Sequence, residues 1–156
     1  MTFALDGFDG FVPLSELPVN DVPAEPGVYV VVRPAKSAPV FLPASPAGWF
    51  KAKNPTLPVA ELQRAWVPDE PVLYIGKAAA GQSGRRGLRK RLDEYRRHGA
   101  GQRVGHWGGR MIWQLADSAE LLVGWRVNAD ARAVEKAMIA EFVALYGHRP
   151  FANRTG

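Results

Sequence analysis

Three side chains that can bind a phosphate and move a proton recur at helical spacing between residues 88 and 98. Arg91, Tyr95 and His98 stand at positions i, i+4 and i+7 of the segment LRKRLDEYRRH. Residues at this spacing lie on one face of an α-helix. A guanidinium can bind a phosphate, and a phenol or an imidazole can give or accept a proton. The alternative interpretation is structural, with Tyr95 half-buried at the rim of the core and Arg91 solvated.

Glu135 has neighbours that are unusual for a carboxylate. The residues at i−4, i+3, i+4 and i+7 from it are all apolar: Ala131, Met138, Ile139 and Phe142. A charge in apolar surroundings is unfavourable unless it has a partner. We therefore expect a cation near Glu135, either a metal ion or, in the structural alternative, Arg91 or Arg132. A hard cation such as Mg²⁺ needs only one or two carboxylates, because water and phosphate oxygens complete its coordination.

Several other kinds of site are excluded by the residue types and their spacing. The chain has no cysteine, which excludes disulfides and thiolate zinc sites. The three histidines lack the spacing of zinc ligands, and neither a GxSxG motif nor a Walker A motif is present. Trp107, Trp113 and Trp125 are interpreted as core residues, one of which could stack on a base.

Positive charge is concentrated between residues 85 and 110. The net charge of the chain is +5, and this segment holds nine basic and two acidic residues, an excess of +7 that leaves −2 for the remainder. Such a concentration is typical of a surface that binds a nucleic-acid backbone. The alternative is a solvated, arginine-rich helix face. The candidate nucleic-acid-binding residues are Arg85, Arg86, Arg89, Lys90, Arg96, Arg97, Arg103 and Arg110.

The patterns of apolar residues predict an α+β fold. Segments typical of strands occupy residues 27–33, 72–76 and 119–127. Helices are expected at 88–98, 104–115 and about 130–146. Asn128 or Asp130 can cap the last helix, and Gly147 can end it. We expect the first two strands to pair, giving a small three-stranded mixed or antiparallel sheet flanked by helices.

The length of 156 residues suits one domain covering 1–156. Residues 1–26 are rich in proline and acids and are interpreted as an N-terminal extension. Residues 34–71 are interpreted as an insertion between the first two strands, with a short helix at 59–66. The start of the chain lacks the pattern of a secretory signal, and no apolar run approaches the roughly 20 residues that span a bilayer. We therefore expect a cytoplasmic protein with no membrane partner.

Two of the predicted strands carry motifs that resemble those of the GIY-YIG nuclease superfamily. The tripeptide 27–29 (GVY) resembles the first motif, and 74–78 (YIGKA) resembles the second with its usual continuation. Two features depart from the family. The spacer at 34–71 is much longer than the family's usual hairpin loop, and an expanded loop after Gly76 adds Arg85 and Arg86 as rivals for the catalytic arginine.

The resemblance continues in chain order through the rest of the sequence. LRKRLDEY resembles the family's helix with an arginine and, four residues on, a tyrosine or histidine; AVEKAMI resembles the helix with the metal-binding glutamate; and PFAN resembles the terminal turn with an asparagine. The resemblance therefore covers 27–33 and 72–153. The implied catalytic residues are Tyr29, Tyr74, Lys77, Arg91, Tyr95, Glu135 and Asn153.

The resemblance implies a divalent-metal-dependent endonuclease that hydrolyses DNA phosphodiester bonds. Glu135 would hold one Mg²⁺ or Mn²⁺ ion, and Tyr29 would act as the general base, or relay to it, with Lys77 or the metal favouring its phenolate. Tyr74 and Arg91 would bind the phosphate. Tyr95 would orient the nucleophile, and Asn153 would fix the geometry of the site.

The implied partner is DNA, either double-stranded or branched, although the motifs do not separate DNA from RNA. Two copies of so small a core could form a homodimer to reach both strands. Two alternatives stay open: a catalytically inactive DNA-binding module of the same fold, and a structural interaction protein in which GVY and YIG are incidental strands. Salt-sensitive binding of nucleic acid would separate these two alternatives.

Overall fold

Four antiparallel strands form one sheet in the part of the chain that the computed structural model describes, residues 3–81, 84 and 86–154. The strands are β1 (Asp9–Pro13), β2 (Gly27–Val32), β3 (Val72–Ala78) and β4 (Leu122–Val127), and their order is β1-β4-β2-β3. The α+β class is confirmed, and so is the pairing of the first two predicted strands. The prediction of three strands is wrong, because residues 9–13, within the predicted extension, pair with β4.

Three α-helices accompany the sheet in the described residues: α1 (Val59–Ala65), α2 (Leu88–Gly99) and α3 (Ala131–Tyr146). The side chain of Asp130 accepts a hydrogen bond from the backbone N–H of Ala133, and Gly147 ends α3 in the left-handed conformation, as predicted. The helix predicted at 104–115 is wrong, since within this range the structure has a short 3-10 helix at Arg110–Gln114. No helix in the described ranges is long and apolar enough to cross a membrane.

Strand β2 is buried along its whole length because it pairs with strands on both sides and packs against helices on both faces. Side chains of a strand alternate between faces. Tyr29 belongs to the core on the α2 side, with Leu92, and Val28 belongs to the core on the α3 side, with Phe142. A strand buried on both faces accounts for the continuous apolar run GVYVVV.

The insertion between β2 and β3 packs against the C-terminal end of α2 and the loop that follows it. The backbone N–H of Gly48 donates to the carbonyl of His98 (2.9 Å), and Nε2 of His98 lies 2.9 Å from the carbonyl oxygen of Gly48. A methyl group added to Gly105 would lie 3.2 Å from the Phe50 ring. The insertion therefore supports the loop of residues 100–109, which we call the glycine loop.

Candidate functional site

Tyr29 and Tyr74 lie on the same face of the sheet. Tyr29 is paired with Gly76 across the β2–β3 ladder, and Tyr74 stands two residues before Gly76, so the two phenols point in the same direction. Their ring centroids are 6.0 Å apart. A methyl group at position 76 would overlap the Tyr29 ring, which gives the glycine of the YIG segment a steric reason.

Tyr95 of α2 completes a cluster of three phenols with Tyr29 and Tyr74. Its ring centroid lies 6.2 Å from that of Tyr29 and 5.7 Å from that of Tyr74. Tyr95 is fully buried, and its hydroxyl donates to the carbonyl of Gly109 (2.6 Å). Tyr95 therefore lies beneath the surface, packed against the other two phenols.

The glycine loop contacts three residues of the predicted site. Besides the bond from Tyr95, the guanidinium of Arg91 donates to the carbonyl of Gly105 (2.7 Å), and the hydroxyl of Tyr29 lies 2.6 Å from Nε2 of His106. Two of these interactions use backbone carbonyls, those of Gly105 and Gly109, which a helix would have paired within itself. They give a physical reason why residues 104–109 do not form the predicted helix.

His106 is the residue of the site that sequence reasoning missed. Its imidazole is fully buried and stacks on the Tyr95 ring, with centroids 3.7 Å apart and an interplanar angle of 3°. In the sequence, His106 stands out neither by zinc-ligand spacing nor by a helical stripe. The one available signal was its position in a glycine-rich segment, since such a backbone can approach neighbouring rings closely.

Residues from four separate elements line one cleft. Tyr29 of β2, Tyr74 and Lys77 of β3, Arg91 of α2 and Glu135 of α3 surround a cavity of about 300 Å³, with Arg86 at its rim. Tyr74 and Lys77 project from opposite faces of β3, so the cleft gathers groups from both sides of that strand. Five of the seven predicted catalytic residues thus meet at one surface, although up to 106 positions separate them in sequence.

Glu135 has a cation beside it, as its apolar neighbours predicted. Its carboxylate oxygen Oε1 lies 3.4 Å from Nζ of Lys77, and the Glu135 side chain is 18% exposed. The structural alternative named Arg91 or Arg132 as this partner. Among the described residues the ion pair is made by Lys77 instead.

The fit of a divalent cation rests on this single carboxylate. No group of three or more His, Cys, Asp or Glu side chains in the described part of the chain is placed to hold a metal ion. A Mg²⁺ ion that keeps most of its water needs only one or two carboxylates. Glu135 fits that requirement, because its carboxylate borders the cleft and also a neighbouring cavity of about 540 Å³ that reaches Asn153.

The Asn153 side chain forms hydrogen bonds with the backbone of β3 and with none of the three phenols. Its Oδ1 accepts from the N–H of Ile75 and its Nδ2 donates to the carbonyl of Ile75, both at 2.9 Å. The side chain thus pairs with the edge of β3 as a neighbouring strand would. Because Ile75 lies between Tyr74 and Gly76, the predicted role of fixing the geometry has a structural basis.

Replacing Asn153 by alanine is expected to lower the free energy of unfolding by about 3 kcal/mol, since the buried N–H and C=O of Ile75 both lose their partner. Urea unfolding followed by circular dichroism would measure this loss. Asn54→Ala is the matched control, because the Asn54 side chain accepts one exposed hydrogen bond from Thr56. Equal losses in the two variants would contradict the assigned role.

Burial keeps the three phenols protonated at neutral pH. Desolvation raises the pKa of Tyr29 and of Tyr95 well above its ordinary value near 10, and raises the pKa of Tyr74 to about 12. The guanidinium of Arg91 opposes this shift in the pKa of all three phenols. The charge of Arg91 thus favours the Tyr29 phenolate, a role that the resemblance gave to Lys77 or to the metal.

Most of the predicted nucleic-acid-binding residues make contacts within the chain. Partners in the protein hold the guanidinium groups of Arg86, Arg89, Arg96, Arg97 and Arg110. Lys90 and Arg103 are exposed, and Arg85 lies outside the described residues. Most of these contacts are partly buried, and ion pairs near the surface are worth about 1 kcal/mol, so they can yield to a phosphate.

His98 does not join Arg91 and Tyr95 at the site. It is buried against Gly48 of the insertion, one turn beyond Tyr95 on α2. Two of the three tryptophans, Trp113 and Trp125, are core residues as predicted, while Trp107 is half-buried beneath the guanidinium of Arg110 at 4.3 Å.

Comparison of the chain with models of protein families, with curated proteins and with solved structures found no match. The cleft and its chemistry are therefore the basis for a functional conclusion.

Proposed function

We propose that this chain is a divalent-metal-dependent endonuclease that hydrolyses phosphodiester bonds in DNA and is a divergent relative of the GIY-YIG nucleases. The observation that carries the proposal is the cleft lined by Tyr29, Tyr74, Lys77, Arg91 and Glu135. These residues match the family's motifs in type and in chain order. Folding brings to one surface the groups that the resemblance requires to act together.

Arg91 is suited to bind the scissile phosphate. Phosphodiester hydrolysis develops negative charge on the phosphate, and a fixed cation with oriented donors stabilises that charge. The carbonyl of Gly105 orients the guanidinium, and the Arg91 side chain remains 27% exposed. Tyr74 is placed to donate from its hydroxyl to a phosphate oxygen, since it lines the same cleft.

Glu135 would hold the divalent cation, which when bound would draw negative charge from the scissile phosphate and from the leaving oxygen. Lys77 orients the carboxylate through the 3.4 Å ion pair and adds a second positive charge at the cleft. Tyr29 is the group proposed to take the proton of the attacking water. The basic residues between Arg86 and Arg110 would bind the flanking phosphates.

Incubation of supercoiled plasmid with the purified chain tests this proposal. We expect nicked or linear products with Mg²⁺ or Mn²⁺ and intact plasmid with EDTA. Nicked circles alone would mean that one copy cuts one strand, and linear products at the first cut would support the predicted homodimer. Intact plasmid with either metal, and intact branched duplexes as well, would contradict the nuclease proposal.

The second candidate function is a DNA-binding module without catalysis. The observation that favours it is the Lys77–Glu135 pair, because this carboxylate already has a protein cation. A module of this kind would bind a fluorescein-labelled duplex with an affinity that falls steeply between 50 and 200 mM salt, as about six or more phosphate contacts require. It would leave the duplex uncut in Mg²⁺ and in Mn²⁺.

A further inference from the structure

A tyrosine that is protonated cannot take a proton from water unless it gives up its own. Burial raises the pKa of Tyr29 well above 10, so its phenol carries a proton at neutral pH. A general base at this position therefore needs an acceptor for the phenol proton, within hydrogen-bond distance of the Tyr29 hydroxyl. The inference that follows rests on the proposed function, in which Tyr29 is that base.

The described neighbours of the Tyr29 hydroxyl leave one group that can take this proton. The guanidinium of Arg91 is a donor without an acceptor site. Tyr74 can accept a hydrogen bond, but a neutral phenol is far too weak a base to keep the proton. Tyr95 commits its hydroxyl to the carbonyl of Gly109. Nε2 of His106 lies 2.6 Å from the Tyr29 hydroxyl, and a neutral imidazole is a proton acceptor.

We propose that His106 is the proton acceptor for Tyr29 during hydrolysis. As the attacking water loses a proton to the Tyr29 oxygen, the phenol proton passes to Nε2 of His106. The water oxygen bonds to phosphorus, and the bond between phosphorus and the leaving oxygen breaks. The leaving oxygen takes a proton from solvent. His106 then returns its Nε2 proton to the Tyr29 oxygen, and Tyr29 releases the proton taken from water into the cleft before the next turnover. His106 thus acts through Tyr29 and is a positioning residue.

The surroundings of His106 keep its imidazole neutral and fixed. Stacking on Tyr95 at 3.7 Å sets the plane of the ring, and Tyr29 meets the ring edge at an interplanar angle of 60°. The titratable and charged groups that face it are Tyr29, Tyr74, Arg91, Tyr95 and His98. Burial, followed by the charge of Arg91, lowers the pKa of His106 well below 6.5.

This environment sets the direction of the pH dependence. His106 accepts a proton only while it is neutral, so the cleavage rate should fall as the pH falls through its lowered pKa in the folded protein. The rate should not change near pH 6.5, where an exposed histidine titrates. The same lowered pKa affects stability. Below about pH 6.5 the unfolded chain binds a proton at His106, whereas the folded chain does so only at lower pH. Burial of His106 therefore lowers the free energy of unfolding as the pH falls below about 6.5.

The inference can be tested without substrate by determining which ring nitrogen of His106 carries the proton. ¹⁵N NMR of the imidazoles of the three histidines distinguishes a protonated ring nitrogen from a bare one, and His106→Gln identifies the His106 signal. We expect the proton on Nδ1 and a bare Nε2 whose resonance shifts in Tyr29→Phe. A proton on Nε2 would overturn the inference, whether or not the chain cleaves DNA.

Cleavage kinetics provide the second test, with His98 as the matched control. His98 is also buried and hydrogen-bonded, but to Gly48 of the insertion. Removal of a proton acceptor should lower the single-turnover rate about 100-fold or more in His106→Gln, with DNA affinity unchanged. His98→Gln should keep the rate within about threefold, since the glutamine amide can still donate to the carbonyl of Gly48 and proton transfer at Tyr29 is intact.

The pH profile separates a proton acceptor from a structural role. The residual rate of His106→Gln should lose the acid limb that the unaltered chain shows and rise with hydroxide concentration instead. An unaltered profile, or a rate loss equal to that of His98→Gln, would overturn the assignment. If the unaltered chain cuts no DNA, the proposed function fails, and the NMR result still decides whether Nε2 accepts the Tyr29 hydrogen bond.

Discussion

Glu135→Gln is expected to lower the rate of DNA cleavage about 1000-fold or more and to leave duplex affinity within about threefold. Glutamine keeps the size of the side chain but removes the charge that a divalent cation requires. Metal assistance is worth several kcal/mol to a transition state, and about 1.4 kcal/mol corresponds to a factor of ten in rate. Single-turnover cleavage of a labelled duplex would measure the loss.

The matched control for this variant is Glu141→Gln on the same helix. Glu141 is exposed and lies outside the residues that line the cleft, so its loss should leave the rate unchanged. Titration of Mn²⁺ followed by electron paramagnetic resonance supplies a readout that does not depend on cleavage. Retained cleavage in Glu135→Gln, or unchanged Mn²⁺ affinity, would contradict the assignment of Glu135 as the metal ligand.

Lys77 decides between the metal role of Glu135 and a purely structural ion pair. The Lys77 side chain is 42% exposed, so the ion pair with Glu135 contributes little to stability. If the ion pair were the only role of Glu135, replacing either Lys77 or Glu135 would change the cleavage rate by the same small amount. If Glu135 binds the metal, replacing Glu135 should lower the rate far more than replacing Lys77, because only the carboxylate can bind a cation.

The parts of the fold that could be predicted from the sequence are those with strong periodicity. A continuous apolar run predicts β2, and the apolar stripe around Glu135 predicts α3. Both patterns are informative because they arise directly from burial of these side chains in the core. β1 has no such pattern. It contains Gly10 and Pro13, it has a bulge at Phe11 with φ of 58°, and its side chains are exposed or half-buried. An edge strand of this kind is recognised only through its pairing with β4.

Some residues of the candidate site could likewise be predicted from the sequence, and others could not. Arg91, Tyr95 and Glu135 stand out locally, because their spacing on helices or their apolar neighbours can be read from the chain. The partner of Tyr29 cannot be read in this way. His106 follows Tyr29 by 77 positions and reaches it through an irregular loop, whose path depends on Phe50 of the insertion and on carbonyl contacts with α2. A contact of this kind, between a strand and an irregular loop, produces no periodic pattern in the sequence.

The insertion between β2 and β3 has a structural role in supporting the glycine loop. The insertion at 34–71 is much longer than the family's usual hairpin loop. In the structure, Gly48 and Phe50 of the insertion contact the end of α2 and Gly105, the residue that binds Arg91 and precedes His106. The insertion therefore supports the loop that holds the cleft together. The longer spacer is compatible with a working site of the proposed type.

Arg91→Ala is the second variant for which we expect a large effect, a loss of about 100- to 1000-fold in the cleavage rate, as for removal of an oriented donor to a developing oxyanion. The guanidinium is held by the carbonyl of Gly105 and opposes the rise in the Tyr29 pKa, so its loss removes phosphate binding and disfavours the Tyr29 phenolate together. Arg91→Lys keeps the charge without the planar fork and should be intermediate. Thermal unfolding of each variant confirms that it is folded.

Arg86→Ala is the control that tests the choice among the rival arginines. Arg86 borders the same cleft, and its guanidinium pairs with Glu94, whose carboxylate also lies 3.6 Å from the Arg91 guanidinium. Arg85 lies outside the described residues. The loss of Arg86 leaves the bond between Arg91 and Gly105 in place, so we expect weaker, more salt-sensitive binding and a rate within about tenfold at saturating DNA. A fully active Arg91→Ala variant beside an inactive Arg86→Ala variant would transfer the catalytic role to Arg86. We favour Arg91, because its guanidinium lowers the pKa of the phenol that is proposed to take the proton and donates to the loop that carries His106.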